Sequence, residues 1–397
     1  MHIVSIEPTP SPNTMKIQVN ERIPDGIRTT YAKANTAAAP AFIQKLLAIH
    51  GVKSVYHAAD FIAVDRMGSA DWQPILAHIH EALGGASATI QPPDLASSTN
   101  SQSQAAGEGS QEDAHFGEVQ VLLQHFRGIP LQVRVQSGME QQRAGLPARF
   151  NEAAIRAASA SPNLIKERTL EDWGIRYGEL KEVLEEITQE IDAAYDESRL
   201  QSLVTQAQQL GGDVVEGVAA VSSAGRATLS KAELVQQLAD PDWKQRYAAL
   251  QQVKPSAETL PLLTHALEDE KPSIRRLAAV FLGDLKDTMD VLPYLQRALD
   301  DKSASVRRTA GDTLSDIGNP NGIPAMMKAL LDPNKLVRWR AARFLYEVGD
   351  QQALPALHQA EDDAEFEIRM QIKLAIERIE GGHAAEGSVW QQMTRRS

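Results

Sequence analysis

The sequence predicts a multidomain chain: a small α+β unit, a mixed α/β middle unit and a C-terminal α-solenoid of paired helices. Three observations carry this. The last third repeats itself with a period near 31 residues. The first 84 residues alternate short period-2 runs with two helical ones. Between that unit and the rest lies a stretch, 85–114, with no aromatic residue and few apolar ones.

The repeats come first because they are the most regular. An Asp stands six residues before an Arg five times: Asp240/Arg246, Asp269/Arg275, Asp301/Arg307, Asp332/Arg338 and Asp363/Arg369. The Arg-to-Arg spacings are 29, 32, 31 and 31. One residue before four of these Arg stands Ile274, Val306, Val337 or Ile368. Three residues after come Ala249, Ala278, Ala310, Ala341 and Ile372, and seven after come Val253, Leu282, Leu314, Leu345 and Ile376. Those offsets share one helix face. Pro261, Pro293, Pro324 and Pro355 open the preceding helix, where proline is tolerated because first-turn N–H groups have no intrahelical acceptor. Two helices per unit at this period describe a solenoid, in which a repeated residue serves the repeat. The ten Asp and Arg residues are therefore expected to be structural.

Offsets +1, +5 and +8 lie opposite that core stripe and are expected to line the concave surface. Aromatic and Arg side chains dominate binding hot spots, so Arg276, Arg308, Trp339, Arg343 and Tyr346 are the candidate partner-binding residues. The alternative for Trp339 and Tyr346 is packing on a neighbouring repeat or on the middle unit.

In the first unit, Met15–Val19 reads as a strand, Ala38–Ile49 as a helix stopped by Gly51, and Val52–His57 and Phe61–Asp65 as strands around a turn. Asp71 caps a helix running to Leu83. The stretch 85–114 cannot bury enough surface to order itself and reads as a linker. In the middle unit, Val119–His125 and Ile129–Val135 are β-like runs around an Arg-Gly turn. Two long helices follow, roughly Tyr177–Tyr195 and Asp196–Leu210, and then a Gly- and Ala-rich joint at 211–227. The expected bounds are 1–84, linker 85–114, middle 115–227, repeats 228–382 and tail 383–397.

Composition narrows the chemistry. The formal charge is −12, and there are no cysteines, which removes thiolate nucleophiles and Cys-ligated metals. No segment is basic enough to neutralise a row of phosphates, so nucleic acid is not the expected partner. No window approaches the roughly 18–20 apolar residues of a membrane span, and the N-terminus lacks a secretory pattern. A cytoplasmic setting is expected. Phosphate-loop, dinucleotide and nucleophile-elbow motifs are absent. His78 and His80 point about 200° apart on a helix and cannot share a metal. Acid pairs such as Glu185/Glu186 and Asp362/Asp363 read as solvated helix faces. The cluster Trp173–Gly178, with Arg176 and Tyr177 beside Trp173, reads as a turn with one buried Trp before the helix, its alternative being a pocket. The expectation is a non-enzyme with no cofactor, no metal and a protein partner.

Three resemblances add to this reading. Glu7–Lys16 (EPTPSPNTMK), Gly51–Val55 (GVKSV), Asp60–Val64 (DFIAV) and Asp71-Trp72 resemble the N-terminal domain of Nfu-type iron–sulfur scaffold proteins. In those scaffolds a Cys-x-x-Cys pair in another domain holds the cluster, and this chain has no cysteine. The Asp/Arg pairs resemble the ladder of HEAT repeats, in which the Asp meets backbone and Arg groups across the inter-helix turn. The repeated His-Glu pairs of HEAT-like di-iron hydroxylases are missing, since His80-Glu81 lies outside the repeats. The order of units, with Ile129–Val135 (IPLQVRV) and Trp173–Gly178 (WGIRYG) between them, is similar to the bacterial conserved virulence factor C family. The resemblance implies a cytoplasmic protein with a regulatory or virulence-related role and no named site. The repeats point to an adaptor that binds a protein through their concave face, with the Nfu-like domain supplying a second contact. Its alternative is an accessory factor in iron–sulfur or metal homeostasis, docking through the Nfu-like domain without carrying a cluster.

Overall fold

The structure, a computed structural model, describes residues 1–383 apart from 10, 25–26, 34–35, 37–38, 68–69, 84–116, 139, 160–162, 164 and 211–228. The expected linker 85–114, the joint 211–227 and the tail beyond residue 383 lie outside the described residues. The chain divides into two units, Met1–Phe116 and Gly117–Ser397.

In the first unit, period-2 alternation builds an antiparallel sheet. Its strands are β1 (Ile3–Pro8), β2 (Thr14–Val19), β3 (Arg28–Ala32), β4 (Val52–Ala58) and β5 (Phe61–Arg66), in the order β1-β2-β5-β4-β3. Helices α1 (Ala41–Ala48) and α2 (Trp72–Ala82) complete the unit. Met15, Ile17 and Val19 of β2 and Ile62 and Val64 of β5 are buried with Ile43 and Leu46 of α1 and Trp72, Ile75 and Ile79 of α2. Asp71 caps α2 by accepting the Gln73 N–H at 2.9 Å. Gly51 takes φ +88°, and a Cβ there would stand 2.6 Å from the Ala70 Cβ, so glycine alone fits. Strands β1 and β3 escape the sequence reading because both are edge strands, and β3 (RTTYA) has no strong alternation of its own. Pairing with β2 and β4 makes them strands.

The residues that carry the Nfu resemblance form a staple. The Trp72 indole donates to the Pro12 carbonyl at 3.0 Å. Arg66 Nε donates to Asn13 Oδ1 at 3.1 Å, and Thr14 and Ser54 both donate to Asp65 at 2.6 Å.

The second unit opens with strands β6 (Glu118–Phe126), β7 (Ile129–Ser137), β8 (Glu140–Gly145) and β9 (Arg168–Tyr177), ordered β8-β7-β6-β9. Arg127 and Gly128 both take positive φ, 48° and 79°, as a two-residue hairpin turn matched to strand twist requires. Helix α3 (Ala148–Ala158) lies between β8 and β9, and α4 (Leu180–Ala194) and α5 (Glu197–Gln209) follow β9. Val183, Ile187 and Ile191 of α4 are buried with Val133 and Val135 of β7. The cluster Trp173–Gly178 is the end of strand β9 and not a turn, and Trp173 is only half-buried. Gly178, at φ +148°, ends the strand, so α4 begins at Leu180 and not at Tyr177.

Five helix pairs form the solenoid: α6 (Lys231–Leu238) with α7 (Trp243–Leu250), α8 (Leu260–Ala266) with α9 (Pro272–Gly283), α10 (Leu292–Ala298) with α11 (Ala304–Ile317), α12 (Ile323–Ala329) with α13 (Lys335–Val348), and α14 (Leu354–Gln359) with α15 (Phe366–Glu380). Proline opens α8, α10, α12 and α14 as expected. The second helices stand in one row, each packed on the next. Ile274, Val306, Val337, Ile368 and the Ala and Leu residues of their stripe are buried. Among the described residues, no helix is long and apolar enough to cross a membrane.

Candidate interaction site

The ladder runs between repeats. Each Arg reaches forward to the Asp of the next unit: Arg246 to Asp269, Arg275 to Asp301, Arg307 to Asp332 and Arg338 to Asp363, with Nε–Oδ2 distances of 2.7, 2.7, 2.6 and 2.6 Å. The same guanidinium also donates back to the main chain of its own Asp, as Arg307 does to the Asp301 carbonyl at 2.8 Å. Among the described residues, Arg369 of the last unit donates backward, to the Asp363 and Ala364 carbonyls. The Asp carboxylates fix the turn as well: Asp240, Asp269, Asp301, Asp332 and Asp363 each accept the N–H two residues on, at 2.7–2.8 Å. Burial would raise the Asp301 carboxyl, but the Arg275 hydrogen bond and the Ser303 N–H outweigh it and hold it below its ordinary range.

Four of the five partner-binding candidates, Arg276, Arg308, Trp339 and Arg343, are buried and not on the open face expected for them, while Tyr346 is half-buried. Trp339 is 2% exposed and Arg343 is 4% exposed. Arg343 is held by Glu347 of its own helix at 2.7 Å, and Tyr346 is half-buried beside it, its ring 5.3 Å from the Arg343 guanidinium. Arg308 donates to Asp312 at 3.0 Å and to the Leu336 carbonyl at 2.9 Å, and stacks 3.8 Å from the Tyr177 ring. Arg276 meets both oxygens of Glu190, at 2.8 and 3.0 Å. The physical reason is double cover. Helices α9, α11 and α13 are each flanked by two other second helices, and α4 and β9 of the middle segment reach the +1 side chains of α9 and α11 through Glu190 and Tyr177. The middle segment and the repeats, separate in the sequence reading, thus belong to one unit.

Burial at this contact moves several groups. Burial pushes the Glu186 carboxyl up, and the charge of Glu190 adds to it, while Arg276 opposes both. Burial alone would lower Arg276, but Glu190 reverses the shift and raises it. Tyr247, buried beside the same pair, is raised by burial and then by the Glu190 charge. Glu186 and Glu190 are not singled out as site residues from sequence, whereas Arg176 and Tyr177 belong to the cluster whose alternative reading is a pocket. A signal for the glutamates exists: Glu186 and Glu190 stand four residues apart on one face of α4, and both face Arg276.

Beside this contact the structure leaves a cleft of about 490 Å³ between the end of β9, α4, α9 and α11. Its lining includes Arg176, Arg276 and Arg308 beneath, Asp284 and Asp316 at the exposed edge, and the side chains of Ile175 and Val280, which are 46% and 40% exposed. No histidine lines it. The arrangement offers shape, apolar area and carboxylates, the means of recognition.

The other sequence candidates fall outside it. His78 and His80 sit on α2, where His78 Nδ1 bonds the Pro74 carbonyl at 2.7 Å. Among the described residues, no group of three or more His, Asp or Glu side chains is placed to hold a metal ion.

Comparison with known proteins agrees with this order of units. The model for the N-terminal part of the scaffold protein Nfu/NifU matches residues 4–88, a virulence factor model matches 124–204, and HEAT repeats match 232–311 and 291–377. Conserved virulence factor C of Staphylococcus aureus (strain MRSA252) is 43% identical over 100% of both chains. The chain belongs to the conserved virulence factor C family. Another full-length relative is the uncharacterized protein YpgR of Bacillus subtilis (strain 168), 48% identical over 99% of this chain and 98% of that protein. The crystal structure of protein SAV1430 from Staphylococcus aureus is 39% identical over 21% of this chain and 100% of its own, with a TM-score of 0.20. The virulence factor match includes β9 and α4, the elements whose side chains meet the repeats.

Proposed function

We propose that the chain is a non-catalytic interaction scaffold that binds a protein partner on the repeat side of its second unit, in the cytoplasm, with a regulatory or virulence-related role. One observation carries the reading: the open cleft beside the repeats exposes Ile175 and Val280 among paired charges. Aliphatic side chains open to this extent inside a concave, polar-rimmed site mark a recognition surface. The names of the family's Staphylococcus members support the virulence-related role. The partner surface proposed here is the cleft and not the buried Trp339/Arg343 face.

A second reading is favoured by the Nfu/NifU match over residues 4–88. In it the first unit docks on iron–sulfur assembly machinery, and the chain carries no cluster of its own. Cross-linking with mass spectrometry on the tagged chain in a Bacillus subtilis lysate separates the two. Reproducible links from a defined protein to residues 175–317 support the scaffold. Links from cluster-assembly proteins to residues 1–83 support the docking role. Absence of any protein enriched over a tag-only control would contradict both.

A further inference from the structure

The cleft differs in charge between its floor and its edge. Its arginines are buried or half-buried. Arg276 is buried against Glu190, Arg308 is buried against Asp312 and the Tyr177 ring, and the half-buried Arg176 faces Glu190 at 3.7 Å. The carboxylates at the edge are differently placed. Asp284 and Asp316 are exposed and, among the described residues, have no hydrogen-bond or ion-pair partner, and Glu186 meets Arg276 Nε at 3.7 Å. Lys286, the remaining cation of the lining, is half-buried. Burial raises the Asp316 carboxyl, and Arg340 and Lys286 do not cancel it. Of the charged residues in the lining, the two that are exposed are the carboxylates Asp284 and Asp316, beside the exposed Ile175 and Val280.

We propose that this cleft takes a short basic and apolar segment of a protein partner, with an aliphatic side chain against Ile175 and Val280 and a Lys or Arg toward Asp284 and Asp316. The proposal rests on the scaffold reading and gives its partner a chemistry. An acidic segment would meet Asp284 and Asp316 as like charges, which costs affinity and rejects that class of partner. A purely apolar one would cover Asp284 and Asp316 without giving either a counter-charge.

The test places a photo-crosslinking residue at Val280, and as a control at the exposed Leu331, in the full chain in Bacillus subtilis. The cross-linked segment is read by mass spectrometry, synthesised, and titrated by fluorescence anisotropy against the wild-type chain and the D284N/D316N variant. The expected result is a segment rich in Lys or Arg beside aliphatic residues, captured at position 280, with affinity falling about tenfold in the variant. Both Asp residues are exposed, so an unchanged melting temperature verifies that the variant is folded. Capture of an acidic segment, or equal affinity for both proteins, would overturn the inference and leave the scaffold reading intact. Capture at Leu331 but not at Val280 would do the same, and capture at neither would remove both.

Discussion

Arg276 of α9 and Glu190 of α4, 86 residues apart in sequence, share two hydrogen bonds from one guanidinium nitrogen, at 2.8 and 3.0 Å, with both side chains buried. The pair joins the middle segment to the repeats. Removing one partner of a buried pair leaves an uncompensated charge, so Glu190→Leu and Arg276→Leu should each destabilise the second unit by about 3–5 kcal/mol. The double variant should recover more than half of that loss, because two aliphatic side chains carry no desolvation penalty. Urea unfolding of the three variants checks this.

The ladder has a direction that a double-mutant cycle can read. Arg307 binds the Asp332 carboxylate through two nitrogens at 2.6 and 2.8 Å, but touches Asp301 only at its backbone carbonyl. Arg307→Ala should cost about 1–3 kcal/mol. Arg307 and Asp332 should show a coupling energy of about 1 kcal/mol or more. Arg307 and Asp301 should couple weakly, since the Asp301 side chain pairs with Arg275.

Trp339→Ala should melt well below Arg307→Ala. A fully buried indole leaves a large cavity, at about 3–5 kcal/mol, whereas the ladder guanidinium is partly solvated. Differential scanning calorimetry of the two variants decides it. Reading the helix by offset alone would place Trp339 at a tolerant surface, and that expectation is reversed here.

Glu186 gives the pH test. Its folded carboxyl is raised above its ordinary value of 4.5 by burial and by the Glu190 charge. A raised acid contributes stability below its unfolded pKa and loses it as pH rises through the folded one. At pH 7 Glu186→Gln should therefore be the more stable protein, by roughly 1–2 °C in melting temperature. Below about pH 4, where the wild-type side chain is protonated in both states, the difference should vanish. Melting curves across that range follow it.

The sequence was legible where one element specifies itself. The repeat helices, their prolines and the Asp/Arg pairs announce themselves because each unit writes the same pattern again. The stripe through Ile274, Ala278 and Leu282 is a local property of one helix. What could not be read depends on a second element elsewhere. Strands β1 and β3 exist through their neighbours' hydrogen bonds, and β9 looks like a turn because a Gly174 at φ +80° interrupts it. The offsets of Trp339 and Arg343 locate them opposite the core of their own repeat. Nothing in those offsets records that α11 and α15 flank the helix, or that Tyr177 and Glu190 cover the arginines of the preceding units. The cleft is illegible for the same reason, since Ile175 and Val280 meet only after β9 and α9 are brought together.

The most direct test of the central claim, that the middle segment sheathes the inner face of the repeats, is amide hydrogen exchange on the Glu190→Lys variant. A lysine at this position opposes Arg276 and should part the two surfaces. Exchange should accelerate together in α4 and in α9, residues 272–283, while α15 and the first unit keep wild-type protection. If α4 alone lost protection and α9 exchanged as in the wild type, the two segments would not be holding each other. The covered inner face would then have to be given up.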